Sequence, residues 1–223
     1  MAENMLYYGD NLEILRRYVP TESVDLIYLD PPFKSNQDYN ILFSEQDGTR
    51  SAAQIKAFED TWQWDQAAAA TFHEMVETGP ERVSIAMQAF QDFLPDSDML
   101  AYLAMMAPRL VELQRVLRPT GSIYLHCDPT ASHYLKMLMD AVFGPANFRN
   151  DIVWKRKAGR GETNQAAIRF GITNDNILFF VKSAEAPFTR QYRPNNPEYI
   201  KSKFVYVEPG SGRRYQLDNL TSP

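Results

Sequence analysis

The sequence predicts an α/β domain with a largely parallel sheet, on three observations. Short β-favouring runs alternate with stretches of helical apolar spacing along most of the chain. One run, Val24–Leu29 (VDLIYL), is nearly continuous in apolar residues, as in a central strand covered on both faces. Polar groups able to do chemistry stand where runs end, at Asp10, Asp30 and His126-Cys127-Asp128, and ligands of such sheets bind beyond the carboxyl ends of the strands.

Taken in order, Met5–Tyr8 reads as a strand closed by Gly9-Asp10, and Asn11–Tyr18 as a helix with Leu12, Ile14, Leu15 and Tyr18 on one face. Pro20 ends that helix, and Val24–Leu29 runs into Asp30-Pro31-Pro32-Phe33, where two prolines forbid further ladder pairing. Residues 34–96 read as a mostly helical insertion beside the sheet, with Trp62 and Trp64 anchoring it or touching a nucleic acid. Asp98–Leu117 has strong helical spacing with an expected bend at Pro108, and Pro119-Thr120-Gly121 stops it. Ser122–His126 is the next buried strand, Thr130–Phe143 the next helix, and Ile152–Trp154 and Ile177–Val181 two further strands. Lys155–Asp175, rich in Gly, Arg and Asn, reads as a mobile loop, and Phe204–Val207 with Arg213–Leu217 as a hairpin.

With 223 residues, 44% hydrophobic and 23% charged, the chain suffices for one or two domains with a real core. It has no apolar stretch of about 18 residues and no export-signal pattern at its start, so a soluble, cytoplasmic protein without a membrane partner is expected. A lone cysteine, Cys127, excludes an internal disulfide, and with three histidines it makes no closed zinc set, so no metal is expected. The net charge of −5 is unevenly spread. Residues 1–148 hold 10 Lys/Arg against 21 Asp/Glu, a balance of −11, whereas residues 149–223 hold 13 against 7, a balance of +6. The basic third suits either a solvated surface or a nucleic-acid contact.

Asp30-Pro31-Pro32-Phe33 carries the most chemistry. A stiff double-proline turn can present the Asp30 carboxylate and the adjacent carbonyl as two acceptors at a set separation, with an aromatic face just beyond. That set suits a planar ring bearing an exocyclic NH₂: the acceptors take its two protons, Phe33 stacks on the ring, and the nitrogen lone pair becomes available towards a methyl group held in line. A turn that merely ends the strand is the competing reading.

Four pieces together resemble the DNA amino-methyltransferases, in the circularly permuted (beta) class whose catalytic half precedes the cofactor half. They are Leu6-Tyr7-Tyr8-Gly9-Asp10-Asn11-Leu12, Asp25 through Phe33, Gly121 through Asp128, and Asn147 through Lys155, with Asn174 through Phe180 as a further family strand. The resemblance implies a Rossmann-like S-adenosylmethionine-dependent sheet, with S-adenosylmethionine as cofactor and double-stranded DNA as partner, in a bacterial or phage modification system. It assigns Asp30, Pro31, Pro32 and Phe33 to catalysis on a base flipped from the duplex. Asp10, Asp30 and His126 fall on the cofactor side, while Lys34, Lys155, Arg156 and Arg160 are the candidate DNA contacts. An Asp at the head of the tetrapeptide favours adenine N6 over cytosine N4.

The family's Phe-x-Gly-x-Gly cofactor loop is not found; Gly210-Ser211-Gly212 is the nearest match and sits in a hairpin pattern. By family topology the first two strands of the sheet are then lacking, and an apolar edge is left open. Residues 1–183 are expected to form the catalytic domain and 184–223 the start of a target-recognition region. The chain alone is expected to be inactive and to bind cofactor weakly, pending a second chain or the remaining half. A non-catalytic DNA-binding fragment, or methyl transfer to RNA or a protein amide, are the alternatives. Cys127 reads as an inert core thiol, and His126 and Asp128 either line the cofactor end or belong to the core.

Overall fold

The computed structural model describes residues 4–32, 63–156 and 171–218. Gly9, at φ +140°, turns the chain so that Asp10 caps helix α1, Asn11–Tyr18, its carboxylate accepting from the Leu12 N–H at 2.8 Å. Arg115 closes the other end of α1 by donating Nη2 to the carbonyls of Leu15 and Val19, at 2.8 and 3.2 Å. Strand β1 follows at Val24–Leu29. Asp65 caps α2, Gln66–Thr78; α3 spans Glu81–Phe93; and Ser97 caps α4, Asp98–Val116. Strand β2, Leu117–Cys127, leads through the Asp128 cap into α5, Pro129–Phe143. Strands β3, Phe148–Lys155, and β4, Asn174–Val181, complete the sheet.

The sheet order is β1-β2-β4-β3. β1 pairs parallel with β2, whereas β4 pairs antiparallel with both β2 and β3. Thus β1, β2 and β3 point one way and β4 is inserted against them, giving a mixed α/β sheet. One face is dry: Ile27, Ile123, Leu125, Leu178 and Phe180 are buried with Leu100, Leu103 and Leu110 of α4 and Leu135 and Leu138 of α5. α4 lies at the centre of this layer and runs as one helix through Pro108.

Several expectations are corrected. Met5–Tyr8 is exposed and unpaired as a strand, with Tyr7 stacked on Tyr18 at 5.7 Å, because an apolar run makes a strand only where another offers a ladder. β1 is an edge strand with one covered face among the described residues: Ile27 is buried while Leu26 and Tyr28 are 60% and 58% exposed. Pro119-Thr120-Gly121 does not form a separate stop; it lies inside β2 as an irregularity between the pairs Val24↔Leu117 and Leu26↔Ser122. Lys155, Asn174 and Asp175, placed by the sequence in a loop, belong to strands. The described part of the insertion, 63–96, is helical, and Trp64 packs edge-on to Phe72 at 5.8 Å, the anchoring role; Trp62 lies outside the described residues.

The chain divides into two compact units, Met1–Ala186 and Pro187–Pro223. The second holds helix α6, Pro197–Lys203, and a hairpin of β5, Tyr206–Val207, with β6, Arg214–Tyr215. Tyr206 and Tyr215 stack across that hairpin at 5.5 Å.

Because Leu110 is fully buried and Leu6 exposed, Leu110→Ala should lose about 2–5 kcal/mol and Leu6→Ala under about 0.5 kcal/mol in urea unfolding. Equal losses would contradict this placement of the core.

Candidate active site

Strand direction decides what meets at the sheet's edge. The C-terminal ends of β1, β2 and β3 lie together with the N-terminal end of the reversed β4. Leu29 pairs with Leu125, so the next residues, Asp30 and His126, face each other. His126 pairs with Ile177, and Asp175 is two residues along on the same face of β4. Asp175 in turn pairs with Trp154, and Arg156 is two residues along β3. Registers alone therefore align Asp30, His126, Asp175 and Arg156 across all four strands.

The side chains meet in that order. His126 Nδ1 lies 3.1 Å from Asp30 Oδ1, His126 Nε2 lies 3.5 Å from Asp175 Oδ2, and Arg156 Nη1 lies 3.5 Å from Asp175 Oδ1. An ionised carboxylate only accepts, so any proton shared between the two is carried by the imidazole nitrogen facing Asp30. Asp175 is only 6% exposed and lies between His126 and Arg156, each 3.5 Å from one of its oxygens, while its buried Oδ1 makes no hydrogen bond among the described residues. The Asp30 side chain, by contrast, is 61% exposed. Among the described residues His126 is the one charged or titratable group within ion-pair distance of it. No trio of acidic, histidine or cysteine side chains among the described residues is placed to hold a metal ion.

The remaining sequence-assigned residues fall as follows. Pro31 is buried and Pro32 half-buried. Phe33, Lys34 and Arg160 lie outside the described residues. Lys155 is exposed at the end of β3, and the backbone N–H of Arg156 donates to the Thr173 carbonyl at 2.8 Å, closing the ladder. Asp10 stands apart from the row: both its oxygens lie 2.8 Å from Arg109 Nη2, and Arg109 Nε donates to Asn11 Oδ1 at 2.8 Å. Asp128 accepts from the Ala131 N–H at 3.0 Å as the cap of α5.

Cys127 points to the opposite, covered face, with Sγ 3.7 Å from the Asn176 carbonyl. Burial foremost, then the carboxylates of Asp128, Asp151 and Asp175, push its thiol up to about 12. A thiol so raised is protonated at neutral pH and cannot serve as a nucleophile.

Sequence reasoning missed Asp175 and Arg109. Asp175 had a signal: it is a carboxylate in Asn174-Asp175-Asn176, directly before an apolar run. Its neighbour Asn176 donates to both oxygens of Asp151 on β3, at 2.9 and 3.0 Å. Arg109 had none, since its partner Asp10 is ninety-nine residues away.

A family model described as DNA methylase matches residues 24–216. The chain is similar to the type III restriction-modification enzyme StyLTI Mod subunit of Salmonella typhimurium strain LT2, 26% identical over 93% of this chain and 28% of that protein. It is likewise similar to the EcoP15I Mod subunit of Escherichia coli, 26% identical over 82% of this chain and 25% of that protein. The type II methyltransferase M.EcaI of Enterobacter cloacae is 23% identical over 99% of this chain and 38% of its own length. The chain thus spans between a quarter and two-fifths of these relatives.

Native Cys127 should resist a thiol reagent at pH 8 and react fully once urea unfolds the chain. The proton is held more tightly in the fold than at the unfolded value of 9.0, so this contribution to stability is complete below pH 9 and is lost as pH rises towards about 12. Rapid native labelling would contradict the burial.

Proposed function

This chain belongs to the DNA methylase family that its residues 24–216 match, and on that premise we propose that it forms the catalytic part of an enzyme methylating adenine N6 in double-stranded DNA. The observation that carries the proposal is Asp30, held through one oxygen by His126 at 3.1 Å and otherwise open to solvent at the end of β1. A carboxylate in that state keeps an acceptor for an incoming amine.

In this reading Asp30 accepts one proton of the adenine NH₂ and the Pro31 carbonyl accepts the other. Both bonds draw the nitrogen lone pair out of conjugation with the ring, and Phe33 stacks on the flipped base to keep that nitrogen aimed. When bound, S-adenosylmethionine supplies an electrophilic methyl carbon on a sulfonium sulfur. With that donor bound, the methyl would pass to N6 with the sulfonium electron pair left on sulfur, and Asp30 would take the N–H proton released. Asp30, Asp128 and Asp175 at the strand ends make surroundings that favour a cationic methyl donor. Asp10, Asp30 and His126 border the cofactor, and Asp10 then gives up part of its contact with Arg109.

Lys34, Lys155, Arg156 and Arg160 contact phosphates beside the flipped base, in keeping with the positive balance of residues 149–223. Residues 1–183 act as the catalytic domain, and 184–223 begin the region that reads the target. Among the described residues β1 stands at the edge of the sheet with Leu26 and Tyr28 exposed, which favours completion of the sheet by further chain from the same protein or a partner.

Asp30→Ala in the complete protein should abolish the appearance of N6-methyladenine in nucleoside digests of treated DNA while leaving duplex affinity within about twofold, since the lost bonds act mainly in the transition state. Retained methylation would overturn the role of Asp30, and methylcytosine as the product would overturn the choice of base. Lys155→Ala should weaken duplex binding and lower the slope of log affinity against log salt by about 0.9; an unchanged slope would remove Lys155 from the DNA contacts.

A further inference from the structure

The proposed chemistry uses Asp30 but leaves unexplained why a histidine stands between it and a second, buried carboxylate. We propose that His126 is a positioning residue: its Nδ1–H holds Oδ1 of Asp30 so that Oδ2 alone faces the target amine, and Asp175, backed by Arg156, steadies the ring from behind. The inference rests on the reading of Asp30 given above and moves His126 from the cofactor side to the service of the carboxylate.

Three features of the structure carry it. First, an aspartate at the end of an edge strand, 61% exposed, has a freely rotating carboxylate unless something fixes it, and the close approach of His126 Nδ1, 3.1 Å from Oδ1, supplies that restraint. Second, the ring is itself anchored at its far side. His126 Nε2 faces Asp175, which is 6% exposed and sits in the ladder opposite Trp154 of β3, one residue beyond the last β2–β4 pair, Cys127↔Asn176. Third, Asp175 is held in turn by Arg156 at 3.5 Å, at the point where β3 ends. Among the described residues, the charged or titratable groups within ion-pair distance of the ring are Asp30 from β1 and Asp175 from β4, with Arg156 beyond Asp175 from β3. Asp128, next along from β2, is engaged as the cap of α5, and the Cys127 thiol lies on the other face. A histidine kept only for packing would need neither carboxylate.

Geometry makes the role specific to one nitrogen. Asn in place of His puts its amide nitrogen close to where Nδ1 stands, so it can still donate to Asp30, whereas Phe keeps the ring's shape with no donor.

The test measures single-turnover methylation of an adenine-containing duplex by the complete protein and its His126→Phe and His126→Asn variants, with Michaelis constants for DNA and S-adenosylmethionine and thermal midpoints alongside. His126→Phe should lower the methyl-transfer rate by about a hundredfold, the scale of a misplaced catalytic group, with both Michaelis constants little changed; His126→Asn should restore about tenfold of that loss. An unimpaired His126→Phe, a His126→Asn as slow as His126→Phe, or a rise confined to the Michaelis constant for S-adenosylmethionine would each overturn the proposal. Wild-type protein that methylates no adenine would instead overturn the reading of Asp30 itself. Should His126→Phe fail to fold, ¹⁵N NMR of the wild-type histidine decides: a protonated Nδ1 that shifts on Asp30→Asn supports the bond, and a bare Nδ1 overturns it.

Discussion

The register of β1 on β2 is the constraint from which the site follows. Pairing of Leu29 with Leu125 sets Asp30 opposite His126, and slipping that pairing by one residue would turn Asp30 to the other face of the sheet. What holds the register is far from the chemistry: Ile27, Ile123 and Leu125 are sealed against α4 and α5 on the covered face. At the opposite end of β1, the N–H groups of Glu22 and Ser23 donate to the carbonyls of Arg115 and Val116, and Asp25 pairs with Arg118 at 2.7 Å. The core and the end of α4 together therefore determine where the Asp30 carboxylate stands.

The reversed β4 gives the edge its chemistry. Were β4 parallel to its neighbours, its apolar end at Val181 would lie beside Asp30 and His126, and Asp175 would be at the far side of the sheet. Running backwards, it brings a buried acid into line with an exposed one and places a histidine between them. Asp175 lies in a dry position flanked by His126 and Arg156, each 3.5 Å from one of its oxygens. The same residues that order the edge thus leave one carboxylate, Asp30, facing outward.

Much of this was legible in the sequence for physical reasons. Val24–Leu29 and Ser122–His126 are apolar runs too short for helices, and the paired prolines after Asp30 mark the place where the chain must leave the sheet. Asp128 and Ser97 are good caps, and both cap helices. Strand direction was not legible, because a fully buried strand shows the same apolar run whichever way it points. Nor was the row from Asp30 to Arg156: its members lie at 30, 126, 156 and 175, and only cross-strand registers bring them together. Met5–Tyr8 misled for the converse reason, having the composition of a strand but no ladder to join. Phe33, Lys34 and Arg160 lie outside the described residues, so their assignments stay with the sequence.

The position of the target amine tests the account most directly. In a structure of the complete protein with an adenine-containing duplex and an unreactive analogue of S-adenosylmethionine, adenine N6 should lie within hydrogen-bond distance of Asp30 Oδ2 and the Pro31 carbonyl, with His126 still on Oδ1. An adenine left stacked in the duplex, or an Asp30 with both oxygens turned onto protein groups, would contradict it.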